Sequence, residues 1–265
     1  MPVPAVSRPF DPGALPRHVA DAVWRGCEVG GTAARSIPTG FGVLDAQLPG
    51  GGWPTHSLTE LLLPQAALCL CVWRLLGPAL PALMQSEGRI YLIAPPRQPH
   101  APGLAQLGVS ADRLIWVRAA TTVDSLWVTE QIVKSDPTGA VLSWLPQARP
   151  DQIRRLQIHA QSCDAPVFLF RSVTALHDAS PAPLRVCVAL ADGWHLEVRI
   201  PKRRGASFNE SLYLAAMPAN LEGVIPPRLK TIPAPAAAPS RKESSDARAL
   251  GRAASPFPAA DPLSH

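Results

Sequence analysis

Short apolar segments of strand length alternate along this chain with segments of helical periodicity. The strand-like segments cover residues 58–63, 89–94, 114–117, 140–145 and 167–170. The helix-like segments cover 66–84, 123–135 and 151–162, and Pro78 and Pro81 should end or kink the first of them. Apolar strands that alternate with helices are typical of a parallel sheet covered on both faces. The sequence therefore predicts an α/β fold, an αβα sandwich around a mostly parallel sheet.

A β-hairpin is predicted after these segments. Apolar residues occupy every second position from Leu184 to Leu190 and again from Trp194 to Ile200. Asp192-Gly193 between the two runs is a favourable pair for a tight turn. Because alternation indicates one buried face, we expect a half-buried hairpin at the edge of the sheet.

Both ends of the chain differ in composition from the part between them. Residues 231–265 are mainly Pro, Ala, Ser and Arg with two Leu and one Phe, too little apolar area to offset the entropy of ordering. We therefore expect a disordered tail there and a flexible N-terminus over 1–14. A helix and linker are predicted over 15–36, and the core domain over 37–230.

The predicted N-terminal helix carries an apolar stripe that includes Leu15, Val19, Val23 and Trp24. This stripe has two interpretations. It packs on the chain's own core, or it is a handle for a partner protein.

Composition and charge indicate whether the chain can form a core, cross a membrane or bind an acidic partner. The chain of 265 residues is 47% hydrophobic, which suffices for a sizeable core, and contains no uninterrupted apolar stretch of 18 residues. Its first residues lack the basic end and apolar centre of a secretory signal. We expect a cytoplasmic protein without a membrane span. A net charge of +5 permits an acidic partner such as nucleic acid without requiring one.

The sequence offers no established catalytic or metal-binding pattern. Cys69 and Cys71 form a CxC, which is compatible either with metal binding or with buried thiols in an apolar helix, and the apolar context favours buried thiols. The histidines lack metal-ligand spacing, and the serines lack the context of a nucleophile elbow. We therefore predict no catalytic residues, no metal and no cofactor.

A series of short motifs precedes and includes the first long apolar segment. The series consists of Thr39-Gly40, Leu44-Asp45, the glycines 50–52 and Thr59-Glu60-Leu61. In this order it resembles the entry to a RecA-type ATPase core, where a TG…LD element and a glycine-rich turn lead into the first strand of the sheet. An ordinary glycine-rich loop before a strand is the alternative.

The turn after that strand is where a RecA-like ATPase carries its phosphate-binding loop. Such a loop needs glycines, a lysine for the phosphates and a hydroxyl for magnesium. Here Leu63 and Leu68 stand at the glycine positions, Cys69 at the lysine position and Leu70 at the hydroxyl position. The segment 94–99 lacks the expected catalytic glutamate, and Trp144 stands about where a magnesium-binding carboxylate is expected. The resemblance thus implies a RecA-like skeleton without ATP chemistry.

Further motifs are similar to those of the ImuA family, the RecA-like accessory proteins of bacterial mutasomes that are also labelled SulA-like. The similarity begins at Val23-Trp24-Arg25-Gly26 and ends at Lys202-Arg203-Arg204-Gly205. The motifs between these two are Ala94-Pro95-Pro96, His100-Ala101-Pro102, Trp116-Val117-Arg118, Leu126-Trp127, Glu130-Gln131, Val141-Leu142-Ser143-Trp144-Leu145, Arg154-Arg155-Leu156-Gln157, Phe170-Arg171 and Ser180-Pro181-Ala182-Pro183-Leu184-Arg185.

This resemblance implies a non-catalytic adaptor in error-prone translesion DNA synthesis, induced in the SOS response to DNA damage. The implied partners are an ImuB-type homologue of Y-family polymerases and, in the same complex, an error-prone DnaE-type polymerase. RecA or DNA are further candidates, and association with the nucleoid would follow. Two alternatives stay open: a SulA-like cell-division inhibitor acting on FtsZ, and a residual ATPase with a nonstandard site.

Two basic clusters and one pair of a tryptophan with an arginine are the candidates for contact with a partner. They are Arg154 with Arg155, Lys202 with Arg203 and Arg204, and Trp24 with Arg25. Clustered cations bind phosphates in a salt-dependent way, and a protein surface is an equally good target. Solvated charges without a binding role are the alternative for both basic clusters.

Overall fold

The computed structural model describes residues 35–65, 68–85 and 88–218, together with 221 and 226. The predicted N-terminal helix with Trp24 and Arg25, and the predicted tail, lie outside these residues. No helix among the described residues is long and apolar enough to cross a membrane.

An eight-stranded sheet forms the centre of the fold. Its strands are β3 (Leu58–Leu63), β4 (Ile90–Ile93), β5 (Leu114–Val117), β6 (Ala140–Trp144), β7 (Val167–Ser172), β8 (Leu184–Leu190), β9 (His195–Lys202) and β10 (Leu212–Ala215). They lie in the order β10-β9-β8-β3-β7-β6-β4-β5. The six strands from β8 to β5 are parallel, and β9 runs antiparallel to both neighbours. The predicted mostly parallel α/β sheet is confirmed.

The described helices are mostly short. They are α1 (Gly42–Asp45), α2 (Leu68–Leu76), α3 (Leu80–Gln85), α4 (Ala101–Gln106), α5 (Thr122–Ser135) and α6 (Pro150–Ala160). A 3₁₀ turn, Gly77–Ala79, separates α2 from α3 at Pro78, as predicted. Helix α5 begins after Thr121, whose hydroxyl accepts a hydrogen bond from the Asp124 N–H at 3.1 Å. Helix α4 was not predicted.

Both faces of the sheet are covered. On one face, Leu61 and Leu63 of β3 belong to the same buried cluster as Leu75 and Leu80 from α2 and α3. On the other face, Leu58 of β3 is buried in a cluster with residues of α5 and α6 such as Leu156. Because alternate residues of one strand enter different clusters, the sheet lies between two helical layers, and the predicted sandwich is confirmed.

The predicted hairpin exists, but its place in the sheet was predicted wrongly. Strand β8 pairs with β3 and is therefore internal, and β10, which was not predicted, forms the edge beyond β9. Strand β8 is also buried on both faces. Its residues Arg185 and Cys187 lie in the covered layer, where Cys187 packs with Ala175 of the 3₁₀ helix Val173–His177. Of the two hairpin strands, only β9 shows the predicted half-buried pattern.

Candidate functional site

The element that precedes β3 is held by a side chain and by two close backbone approaches. The carboxylate of Asp45 accepts a hydrogen bond from the Thr39 N–H at 2.9 Å. Gly40 has φ +86°, and a Cβ there would lie 2.3 Å from Pro78 Cβ. Gly52 lies so near strand β1 (Ser36–Ile37), the partner of β2 (Trp53–Pro54), that a Cβ would be 2.4 Å from the Ile37 carbonyl oxygen. The TG, LD and glycine motifs thus form one packed unit.

The turn after β3 carries the positions that the resemblance to RecA-type ATPases aligns with a phosphate-binding loop. Leu63 is fully buried beneath α2, and Leu70 in the first turns of α2 is 60% exposed. The side chains of Leu68 and Cys69 lie outside the described residues. Cys71, the second cysteine of the CxC, is buried, and burial raises the pKa of its thiol to about 11. Cys71 is therefore a packed, protonated thiol, as the apolar context favoured.

The carboxyl ends of β6 and β7 are filled with aromatic side chains. Trp144 stacks on Phe170 with ring centroids 4.4 Å apart and an interplanar angle of 20°. Both rings belong to the buried cluster that contains Leu63. The carboxyl edge of a parallel sheet is the usual place for a ligand in folds of this class. On the α2 side of this sheet, apolar side chains occupy that edge: Leu63 and Trp144 end β3 and β6, and Phe170 lies two residues before the end of β7.

The pair Arg154-Arg155 and the distant Lys202 lie in and beside one surface groove. A groove of about 570 Å³ is lined by Pro150, Asp151, Arg154 and Arg155 of α6 and by the segment 179–181. The Lys202 ammonium donates a hydrogen bond to the Ser180 carbonyl oxygen in that segment at 2.7 Å. We call Arg154, Arg155, Lys202 and the segment 179–181 the basic groove. The Arg155 guanidinium already has a counter-charge, because it forms an ion pair with Glu130 at 2.7 Å.

Arg203 and Arg204 have different surroundings. The Arg203 guanidinium donates to the backbone and side-chain oxygens of Gln47 and to the Ala206 carbonyl oxygen, and it lies 5.3 Å from the centre of the Phe208 ring. Arg204 is exposed and makes no hydrogen bond or ion pair with a described residue. Arg203 therefore ties the segment after β9 to the turn after α1, and Arg204 stays available to a partner.

A buried charge cluster in the centre of the sheet was not predicted. Glu60 in β3 is fully buried, and its carboxylate accepts hydrogen bonds from Arg171 of β7 at 2.8 Å and from Arg185 of β8 at 2.7 Å. Arg171 also pairs with Asp178 at 3.0 Å, and Arg185 donates to the carbonyl oxygens of 175, 176 and 178. The signal in the sequence was a charged residue inside or directly after an apolar segment: Glu60 within 58–63, Arg171 after 167–170 and Arg185 within the first run of the hairpin.

Among the described residues, no group of three His, Cys, Asp or Glu side chains could hold a metal ion. Comparison with known proteins identified no matching family model and no matching curated protein.

Proposed function

We propose that this chain is a non-catalytic adaptor of SOS-induced, error-prone translesion DNA synthesis, built on a RecA-like core. Its main partner would be an ImuB-type protein, with a DnaE-type polymerase in the same complex and RecA or DNA as further contacts. The motif series that resembles the ImuA family is the basis for this identification. Engagement with that complex would bring the chain to the nucleoid.

One structural observation carries the non-catalytic part of the proposal. In a RecA-like core, Leu63 and Trp144 stand where a phosphate loop and a magnesium-binding carboxylate would lie. Both side chains are buried in one apolar cluster with Phe170. Phosphoryl transfer needs positioned charge at such points, because the protein contributes mainly electrostatic stabilisation. Buried apolar side chains at these points support the proposal that the fold serves to bind partners and not to transfer phosphate.

Purified protein is expected neither to bind nor to hydrolyse ATP. Titration of Mg-ATP into the full chain by calorimetry should give only heats of dilution. A dissociation constant tighter than about 100 μM, near −5.5 kcal/mol, would contradict the non-catalytic proposal and favour the residual ATPase. ATP hydrolysis by the purified protein would also contradict the proposal, provided that a mock purification from cells lacking the gene shows no hydrolysis.

Capture of the chain from damaged cells tests the adaptor role. After treatment of the source organism with a DNA-damaging agent, affinity purification should recover an ImuB-type protein in near-stoichiometric amount. A tagged bait of unrelated sequence serves as the control for non-specific binding. Recovery of FtsZ, together with filamentous growth when the chain is overproduced, would instead establish the SulA-like alternative.

A further inference from the structure

A second cavity, separate from the basic groove, lies at the carboxyl ends of β4 and β5. It has a volume of about 380 Å³ and is lined by Arg97, Trp116 and Arg118, among others. Trp116 is 37% exposed although it belongs to a strand, and both arginines are exposed. The lining contains no carboxylate from the described part of the chain. The cavity therefore combines an aromatic surface with two positive charges that no lining acid neutralises.

The backbone around this cavity is constrained. Ala94, directly after β4, has φ +50°, a left-handed conformation that a residue other than glycine adopts only at a cost. Its N–H donates to the Val117 carbonyl oxygen at 3.0 Å, so the turn at the end of β4 is fixed beside the end of β5. Pro95 and Pro96 then fix the backbone that presents Arg97. Because this backbone is already constrained, it loses little conformational entropy when a ligand binds.

We propose that this cavity binds single-stranded nucleic acid, with a base against Trp116 and the neighbouring phosphates against Arg97 and Arg118. Aromatic stacking combined with cationic contact to the backbone is the general mode of recognition for single strands. Arg118 lies 5.5 Å from the centre of the Trp116 ring, so the cation and the ring already form one unit. Two arginines give a free mononucleotide little affinity, whereas a strand adds contacts along its length.

Fluorescence anisotropy of a labelled 20-nucleotide strand tests this site on the full chain, independently of any partner protein. Oligo-dT and oligo-rU are tested separately to distinguish DNA from RNA. We expect salt-dependent binding that Trp116→Ala weakens about tenfold, since stacking contributes ~1–3 kcal/mol per base. Trp116→Phe should retain most of the affinity, because a ring remains. Trp127→Ala is the matched control, because Trp127 is also an exposed tryptophan, 61% exposed on α5.

Charge reversal provides a second test that does not depend on Trp116. The double variant Arg97→Glu with Arg118→Glu should flatten the dependence of log K on log salt by about 1.4, since each lost phosphate contact contributes ~0.7 on a single strand. Lys134→Glu with Arg199→Glu changes the net charge equally at two other exposed sites.

Three results would overturn the proposal. The first is equal loss of affinity in the cavity variants and their controls. The second is wild-type binding weaker than about 100 μM in 50 mM salt, where a cationic single-strand site should be strongest. The third is competition by a free nucleotide at a concentration as low as that of the strand. Failure of partner capture would leave this site unaffected, so the two proposals fail separately.

Discussion

Replacing Glu60 with alanine is expected to lower the free energy of unfolding by about 3–5 kcal/mol, the usual cost of breaking a buried ion pair. The carboxylate of Glu60 is the acceptor that Arg171 and Arg185 share inside the sheet. Without it, two guanidinium groups that are 5% and 7% exposed lose their central counter-charge. An uncompensated buried charge costs more than the lost hydrogen bonds alone. Denaturation by urea, followed by far-UV circular dichroism, measures the change.

Two further variants define the origin of that loss. Glu210→Ala removes an exposed carboxylate and should stay within about 0.5 kcal/mol of wild type. Asp178→Ala removes only the outer partner of Arg171, a side chain that is 55% exposed, so a smaller loss is expected. If Glu60→Ala does not fold, Glu60→Gln retains one acceptor and keeps the comparison possible. A Glu60→Ala protein as stable as Glu210→Ala would show that the cluster contributes nothing to stability.

The local elements could be predicted from the sequence where periodicity and composition agreed. All five apolar segments form strands, and β3 and β5 have the bounds that were predicted. Helix α4 was missed because Pro102 and Gly103 suggest a break. Pro102 lies in the first turn, where proline is tolerated, and the His100 ring caps the helix by accepting from the Gly103 N–H at 3.1 Å.

The relations between distant residues could not be predicted, because periodicity reports a burial pattern and not a pairing. Arg185 looked like the solvent side of a hairpin until its partner, 125 residues earlier, was known. Arg203 looked like an exposed cation, and its acceptor Gln47 is 156 residues away. The basic groove likewise depends on a crossing segment, 179–181, that brings Lys202 to the side of α6.

If the chain is the proposed adaptor of translesion synthesis, reversing charge in and beside the basic groove is expected to abolish damage-induced mutagenesis. The variant combines Arg154→Glu, Lys202→Glu and Arg204→Glu. Arg203 is left unchanged because its guanidinium supports the turn after α1. The fold should survive, since Arg154 and Arg204 are exposed without described partners and Lys202 loses a single hydrogen bond. Mutation frequency after ultraviolet damage, in a strain that carries the variant as its only copy, is the measurement.

A matched control separates a specific contact from a general effect of charge. Lys134→Glu combined with Arg199→Glu and Arg35→Glu reverses three exposed cations elsewhere on the surface and should leave mutagenesis close to the wild-type level. If the groove contacts protein, capture of the proposed ImuB-type partner is lost with the groove variant and retained with the control. If it contacts phosphate, partner capture persists, and the slope of log K against log salt for single-stranded DNA falls by about 0.7 per lost contact. A folded groove variant that supports wild-type mutagenesis would show that these cations are solvated charges without a binding role. A surface that joined the proposed mutagenic complex would not tolerate reversal of three charges.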